Sequence, residues 1–563
     1  MKRCPECKRD YYDESLLYCL DDGSALLEGP ASMDEPATAI LSEPGAIPIG
    51  SLPSKAPTRT LDKFSSPASS VEVPHQTTRN KVIAVGIGMI LVAALGLGAY
   101  LYYNRASSKQ IESIAVMPFV NQGGNSDIEY LSEGMTETLI SSLTQLPDLA
   151  VKPRSSVFRY KGKDTDAKTI GKELNVAAIL NGTVGQRGSD IALHVELIDT
   201  ASETLVWSMD YKRPLANLVA LQSEITRDVV DKLKIKLNST DEQKLAKNYT
   251  ENAEAYQLYM QGRYFLNKAA SNKDIETSIE YFQKAIAIDP SYARAYSGLA
   301  DAYSLNVLGA NRERMAKARA AAFKALSLDD GLAEAHASLG RILSVDDYDL
   351  VGAEREIRRA VEQNPNYGQG HHFLGDLLSI LGRFEESRSE YRRALDLEPF
   401  SASFYASYGS SLIRARNYDE AVAQFNKALE LDPNLWSAYG RLSIISEIAG
   451  KHAESVELRA KAFELNGESR TAALMRESFA KGGWEGFERF LIGEKRPSAI
   501  HFYHMAVAFT ALGEKEKALE ALYKSYENHE ISLVQSLNND ERLDPLRDDP
   551  QFHDLMKRVG FEK

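Results

Sequence analysis

Apolar residues follow four rhythms along this chain. Residues 29–80 show no apolar periodicity. Residues 82–103 then form an unbroken run, VIAVGIGMILVAALGLGAYLYY, without a charge between Lys81 and Arg105. Residues 110–237 mix two-residue and helical spacing, and residues 253–563 are helical with a long-range repeat. The run predicts one helix of roughly 33 Å, enough for a hydrocarbon core of about 30 Å. Its four glycines suit a membrane span, and Tyr100, Tyr102 and Tyr103 gather at one end, where amphipathic rings meet headgroups. The polar tracts on both sides leave no nearby core in which to bury it, and the roughly 80 residues ahead of it argue against a cleaved signal peptide.

In 110–237, Ile114, Val116 and Phe119 mark a strand, and Leu131, Met135, Leu139, Leu143 and Leu146 recur at helical spacing. A short strand is expected at 149–151 and a short helix opening near Asp166 and ending at Leu174–Asn175. A hairpin follows, with strands 176–184 and 191–199 around a turn at 186–190. Leu205, Trp207, Met209 and Tyr211 alternate as a further strand, and Leu218, Leu221, Ile225, Val229 and Leu233 share one helix face. The succession SIAVMPF, EYLSEGMTETLI, SSVFRYKGK, IGKELNVAAILNGTV, LHVELIDT and LVWSMDY resembles TolB amino-terminal-like domains, which often precede helical repeats in bacterial signalling and envelope proteins. The resemblance implies a non-catalytic α/β fold used in protein contacts. The polar run Arg154, Ser155, Ser156, Arg159, Lys161 and Lys163 lacks a phosphate-binding glycine loop and reads as a solvated face. His194 is expected on the face opposite the apolar one.

From 253 onward the pattern repeats every 34 residues. Pro365, Pro399 and Pro433 keep that spacing, as do Ala360, Ala394, Ala428 and Ala462, the aromatics Tyr391 and Phe425, and the small residues Ser387, Ala421 and Ser455. Small residues let antiparallel helices approach, large apolar ones fill the gap, and proline ends the second helix. This resembles tetratricopeptide (TPR) repeats. Units are expected near 253–290, 291–330, 331–365, 366–399, 400–433 and 434–467, with loop insertions at 267–275 and 306–312, a degenerate pair at 468–496 and a last unit at 498–530. Phe552, Leu555, Met556 and Val559 predict a helix covering the exposed end of the stack. Arg294, Asp301, Arg341, Gln369, His372, Asp376 and Ser410 are candidates for the concave face, where protein or peptide partners would bind. Tyr296, His336, His371, Tyr405 and Tyr439 recur at one repeat position, which favours packing.

The first 28 residues are too few to bury a stabilising core, which makes their cysteines informative. Cys4 and Cys7 form a Cys-x-x-Cys turn, Cys19 is a third ligand candidate, and Asp22 stands where a ribbon places its fourth, with Asp21 as competitor. Three thiolates and a carboxylate suit tetrahedral zinc, whose binding would supply the missing stability. The pattern resembles the short zinc-ribbon heads of bacterial membrane proteins. No β-α-β pattern follows that would suggest a redox thiol pair. Residues 29–80, with eight prolines and eight serines, read as a disordered tether.

Charge and cysteine distribution orient the chain. Lys63, Arg79 and Lys81 precede the run, Arg105 and Lys109 follow it, and all three cysteines lie on the amino side. Both place the amino terminus in the cytoplasm and residues 110–563 outside it, across a bacterial inner membrane. The net charge of −13 argues against general nucleic-acid binding. Neither a nucleotide-binding loop nor His-Glu-x-x-His, Gly-x-Ser-x-Gly or a kinase signature is present. The expected architecture is multidomain: a zinc-ribbon-like head at 1–28, a linker at 29–80, one transmembrane helix at 82–103, an α/β domain at 110–237 and an all-α TPR solenoid at 253–563. The expected function is that of a membrane-anchored scaffold without enzymatic activity, or of a relay coupling an extracytoplasmic ligand to a cytoplasmic partner of the head.

Overall fold

The computed structural model describes residues 2–3, 10–11, 27–28, 110–124, 128–247, 250–268, 272–305, 312–493 and 501–561. The chain divides into two compact units, Met1–Val92 and Ala93–Lys563. In the first, β1 (Lys2–Arg3) pairs antiparallel with β2 (Asp10–Tyr11) and β3 (Leu27–Glu28), in the order β2-β1-β3. The zinc candidates Cys4, Cys7, Cys19 and Asp22, the tether and the apolar run at 82–103 lie outside the described residues. Among the described residues no helix is long and apolar enough to cross a membrane.

The second unit begins with a mixed sheet. β4 (Ser113–Val116) runs parallel to β6 (Ala150–Val151) and to β7 (Ala178–Arg187), and β5 (Val120–Asn121) extends the parallel pairing to β7. β8 (Asp190–Asp199) and β9 (Leu205–Pro214) continue antiparallel, so β9 is an edge strand. Apolar side chains of β4, β7 and β8 join those of the Glu129–Thr144 and Leu218–Leu233 helices in one core. The short helix Ala167–Leu174 is capped by Asp166, whose carboxylate accepts from the Thr169 backbone N–H at 2.8 Å. The hairpin is longer and tighter than the sequence pattern suggests. Arg187 pairs with Asp190, leaving a two-residue loop, and Gly188 takes a φ of +63° that its lack of Cβ makes easy. The alternation on β9 also misleads, since Leu205 and Met209 are exposed and only Tyr211 of that set is buried.

The repeats follow the expected units as antiparallel helix pairs, from Ala253–Lys268 with Asn272–Ile288 to Trp436–Ile448 with His452–Leu465. The 34-residue period has a direct packing cause. A Cβ added at Gly409 would lie 2.8 Å from a Phe425 ring carbon, and one at Gly375 would lie 3.0 Å from Tyr391. Thus in these two pairs a glycine on the first helix receives the aromatic ring of the second helix. Ser387 and Ser455 each donate to a carbonyl twelve residues earlier, Gly375 O at 2.7 Å and Ser443 O at 2.8 Å. At the recurrent aromatic position, His336 and His371 have both ring nitrogens engaged, each with a glutamate and a backbone oxygen, in keeping with packing. The degenerate pair appears as Ser469–Ile492, broken at Gly483.

The tail departs from expectation. The helix Pro550–Arg558 buries Phe552, Leu555 and Met556 as predicted, but against earlier repeats as well as its neighbours. After the pair Phe502–Ala511 and Lys515–Glu527, the chain returns along repeats three to six. His529 Nδ1 lies 2.8 Å from Asp346 O, Asn539 donates to Ile380 O at 3.1 Å, Arg414 donates to Gln535 O at 2.7 Å, and Tyr418 donates to Glu541 at 2.6 Å. Leu374, Leu377 and Leu378 share one core with Leu533, Leu537 and Leu555.

Candidate ligand chamber

The face of the array lined by the first helices of repeats two to four is partly covered. The α/β domain docks on it. Glu137, on the Glu129–Thr144 helix, meets Arg263 of the first repeat at 2.7 Å, and Asn267 donates to the same carboxylate. Tyr256 donates to Thr138 at 3.1 Å. Farther along, Asn366 donates to the carbonyls of Leu146 and Leu149 at 3.2 and 3.3 Å, and Ser155 donates to Glu398 at 2.7 Å. The returning tail contributes Ile531 and Gln535. Together these elements leave a chamber of about 810 Å³.

Six of the seven concave-face candidates line this chamber: Arg294, Asp301, Arg341, Gln369, His372 and Asp376. Ser410 instead lines a smaller crevice beside the returning tail. Asp301 and Asp376 are already engaged, whereas Glu334, which also lines the chamber, makes no ion pair among the described residues. Asp301 accepts from Ser338 and lies 3.5 Å from Arg263. Asp376 accepts from Tyr391 at 2.9 Å and lies 3.5 Å from Arg414. Burial raises the Asp301 carboxyl above its ordinary value, while Arg263 and Ser338 oppose the rise. Burial lowers the Arg341 guanidinium, with Asp301 and Asp376 offsetting part of it. Arg341 makes no ion pair among the described residues, and its guanidinium carbon stands 5.6 Å from the Phe373 ring centre.

His372 is the other poised group. Burial, with Arg341 nearby, pushes its imidazole down to about 4, although Asp376 acts the other way, so the ring is neutral near pH 7. Nδ1 lies 2.9 Å from the Gln369 side-chain nitrogen and accepts from it, which leaves the ring proton on Nε2. Nε2 has no hydrogen-bond partner. The ring is fixed by stacking on Phe404 at 4.5 Å between centres.

Part of the basic run at 154–163 is already engaged. Arg154 pairs with Glu133 at 2.5 Å, and Lys161 with Glu129 and Glu133 at 2.6 Å each. Arg159 stands 4.1 Å from the Phe400 ring centre, so part of the run fastens the domain to the repeats. His194 is on the outer face as expected, between Asp210 at 2.8 Å and Glu196 at 3.1 Å. Among the described residues no cluster of three or more potential ligands is arranged around a metal position. Sequence reasoning missed Glu137, Arg263 and Asn366. Each is one polar residue on an amphipathic helix or turn, and its partner lies far along the chain.

The family described as HilA/YgeH-like transcriptional regulator, second domain, matches residues 109–228. Two tetratricopeptide repeat families match, one at residues 349–402, 374–435 and 408–464 and the other at 269–306. The carboxyl-terminal part is therefore a TPR solenoid, and an α/β region spans about 113–233. The chain is 29% identical over 236 residues to "Putative adenylate cyclase 3" of Rhizobium meliloti (strain 1021), covering 41% of this chain and 40% of that protein. It thus spans less than half the length of this relative. Among solved structures, YrrB, a TPR protein with an unusual peptide-binding site, is 22% identical over 35% of this chain and 97% of its own, with a TM-score of 0.25. PilF of Pseudomonas aeruginosa is 18% identical over 44% and 96%, with a TM-score of 0.27. PilW, a type IV pilus biogenesis factor, is 16% identical over 39% and 98%, with a TM-score of 0.32.

Proposed function

We propose that this chain is a membrane-anchored scaffold that binds protein or peptide partners through its repeat array and α/β domain, without catalysing a reaction. The observation that carries the reading is the chamber, where six side chains from the first helices of repeats two to four converge beneath the docked domain. TPR stacks offer recognition surfaces of this kind. The zinc-ribbon-like head, with Cys4, Cys7, Cys19 and Asp22 as ligands, the TolB-like character of the α/β domain and the span at 82–103 complete the proposal. In it the amino terminus is cytoplasmic and residues 110–563 lie beyond the inner membrane.

A test fills the chamber. Gln369→Trp in the full chain should preserve the fold and reduce affinity capture of partners. Unchanged capture with an unchanged melting temperature would move recognition to other surfaces. Orientation is read by an impermeant thiol reagent on whole cells. Ser239→Cys should label and Ser54→Cys should not, in a background lacking the native cysteines.

A relay is the second reading, favoured because the α/β domain and the repeats share the chamber wall, so that occupancy would bear on their docking. The described names of the matched proteins, a transcriptional regulator and an adenylate cyclase, lend support to a regulatory setting. In that reading the head passes the signal to a cytoplasmic partner.

A further inference from the structure

We propose that the chamber holds a small organic acid, whose carboxylate is taken by Arg341 and whose apolar or aromatic body lies against Phe373. The inference rests on the chamber being a recognition site, but not on its occupant being a protein.

Three observations lead there. The first is size. At about 810 Å³ the space falls within the range of small-molecule pockets, and the docked domain and the returning tail narrow the groove beside it. An extended chain running along the array would have to break the Glu137–Arg263 and Ser155–Glu398 contacts on one side and the Arg414–Gln535 contact on the other.

The second is unbalanced charge. Asp301 and Asp376 flank Arg341 in the field that acts on it, but each is engaged by another cation and a hydroxyl. Arg341 keeps a planar donor fork without an ion pair among the described residues, and burial disfavours its charge. A carboxylate matches that fork in shape and charge.

The third is the surrounding chemistry. Phe373 and Tyr367 give an apolar flank, and His372, neutral and with Nε2 unpartnered, adds a hydrogen-bond donor to the same wall. Donor, cation and aromatic surface together suit an acid with an apolar body better than inorganic phosphate, which offers nothing to Phe373.

The test uses the full chain in detergent, with benzoate as probe and benzamide as its uncharged counterpart, followed by calorimetry. Benzoate should bind saturably with one site, and benzamide at least about tenfold more weakly. Arg341→Gln should weaken benzoate by about tenfold or more with an unchanged melting temperature, and Arg341→Lys by less, because the charge stays while the fork is lost. Arg355→Gln, an exposed position outside the chamber, should leave binding unchanged. Absence of saturable benzoate binding at about 10 mM, equal affinity for benzamide, or full binding by Arg341→Gln would each overturn the proposal. A hexapeptide ending in phenylalanine separates the sources of the carboxylate. If its free-acid form binds more tightly than benzoate while its amide does not bind, the occupant is a chain terminus and the small-molecule assignment falls. Partner capture is scored separately with Gln369→Trp, so the scaffold reading can fail while benzoate binding stands, and the reverse.

Discussion

Glu137 and Arg263 lie 126 positions apart and meet with both the Nε and the Nη2 of the arginine 2.7 Å from Oε1. The pair joins the α/β domain to the first repeat. Burial works against the guanidinium charge, but Glu137, with Asp301 behind it, raises the Arg263 pKa above its ordinary value. Breaking the pair should therefore cost about 2 kcal/mol, as expected for a charge-assisted contact that is only partly exposed. Glu137→Gln should lower the unfolding midpoint. A double-mutant cycle with Arg263→Gln checks it, and strict additivity would show that the two do not couple.

Gly409 sets a second prediction. Its missing side chain is where the Phe425 ring sits, so Gly409→Val overpacks the fifth helix pair and should destabilise by about 1–3 kcal/mol. Phe425→Leu on top of it should recover part of the loss, because the smaller side chain vacates the contested space. Denaturant titration of the single and double variants decides, and additive losses would contradict the packing account.

A pH effect is expected near the returning tail. Glu488 is buried, and burial first, then the charge of Glu447, pushes its carboxyl up to about 7 despite Arg459 and Arg542. The folded state thus holds a proton that the unfolded chain, titrating near its ordinary value, releases earlier. The resulting stability is present below about pH 4.5 and is lost as pH rises through 7. Glu488→Gln should match the parent near pH 4.5 and exceed its stability by up to about 3 kcal/mol at pH 8.5. Asp540 acts in the opposite sense. Against burial, Arg542 holds it down at about 2, so its contribution is present above the ordinary carboxylate range and is lost as pH falls toward 2. Equal melting curves for parent and Glu488→Gln at pH 8.5 would refute the assignment.

For the head, the full chain purified after dialysis against metal-free buffer should retain about one zinc equivalent, since structural sites bind tightly at neutral pH. Cys7→Ser should abolish retention, and Asp22→Asn should weaken it more than Asp21→Asn. Retention by Cys7→Ser would remove the ligand set.

The helices and the 34-residue period were legible because each repeat buries the same classes of residue against its neighbours, as Gly375 with Tyr391 and Gly409 with Phe425 show. The membership of the chamber wall was legible for the same reason, since Asp301, Arg341, Gln369 and Asp376 occupy inner positions of first helices. Its closure was not. Contacts such as Asn366 with Leu146 O, or Asn539 with Ile380 O, occur once each and leave no periodic trace. The β9 strand failed for another reason. Its alternation is regular, but the Leu218–Leu233 helix engages only its far end, where Tyr211 donates to Asp228 at 2.6 Å and Arg213 meets Glu224 at 2.9 Å. Leu205 and Met209 are left outside that cover.

The return of the tail also has a temporal side. Leu374, Leu377 and Leu378 are made long before Leu533 and Leu537, which share their core, and the Asn538–Ile380 link alone spans 158 positions. At ribosomal speeds of about 5–20 residues per second, that seam stays uncovered for roughly 10–30 s in every new chain. During synthesis the part of that surface later covered by Leu533 and Leu537 lacks this cover, and a nascent chain released before residue 531 would keep it uncovered.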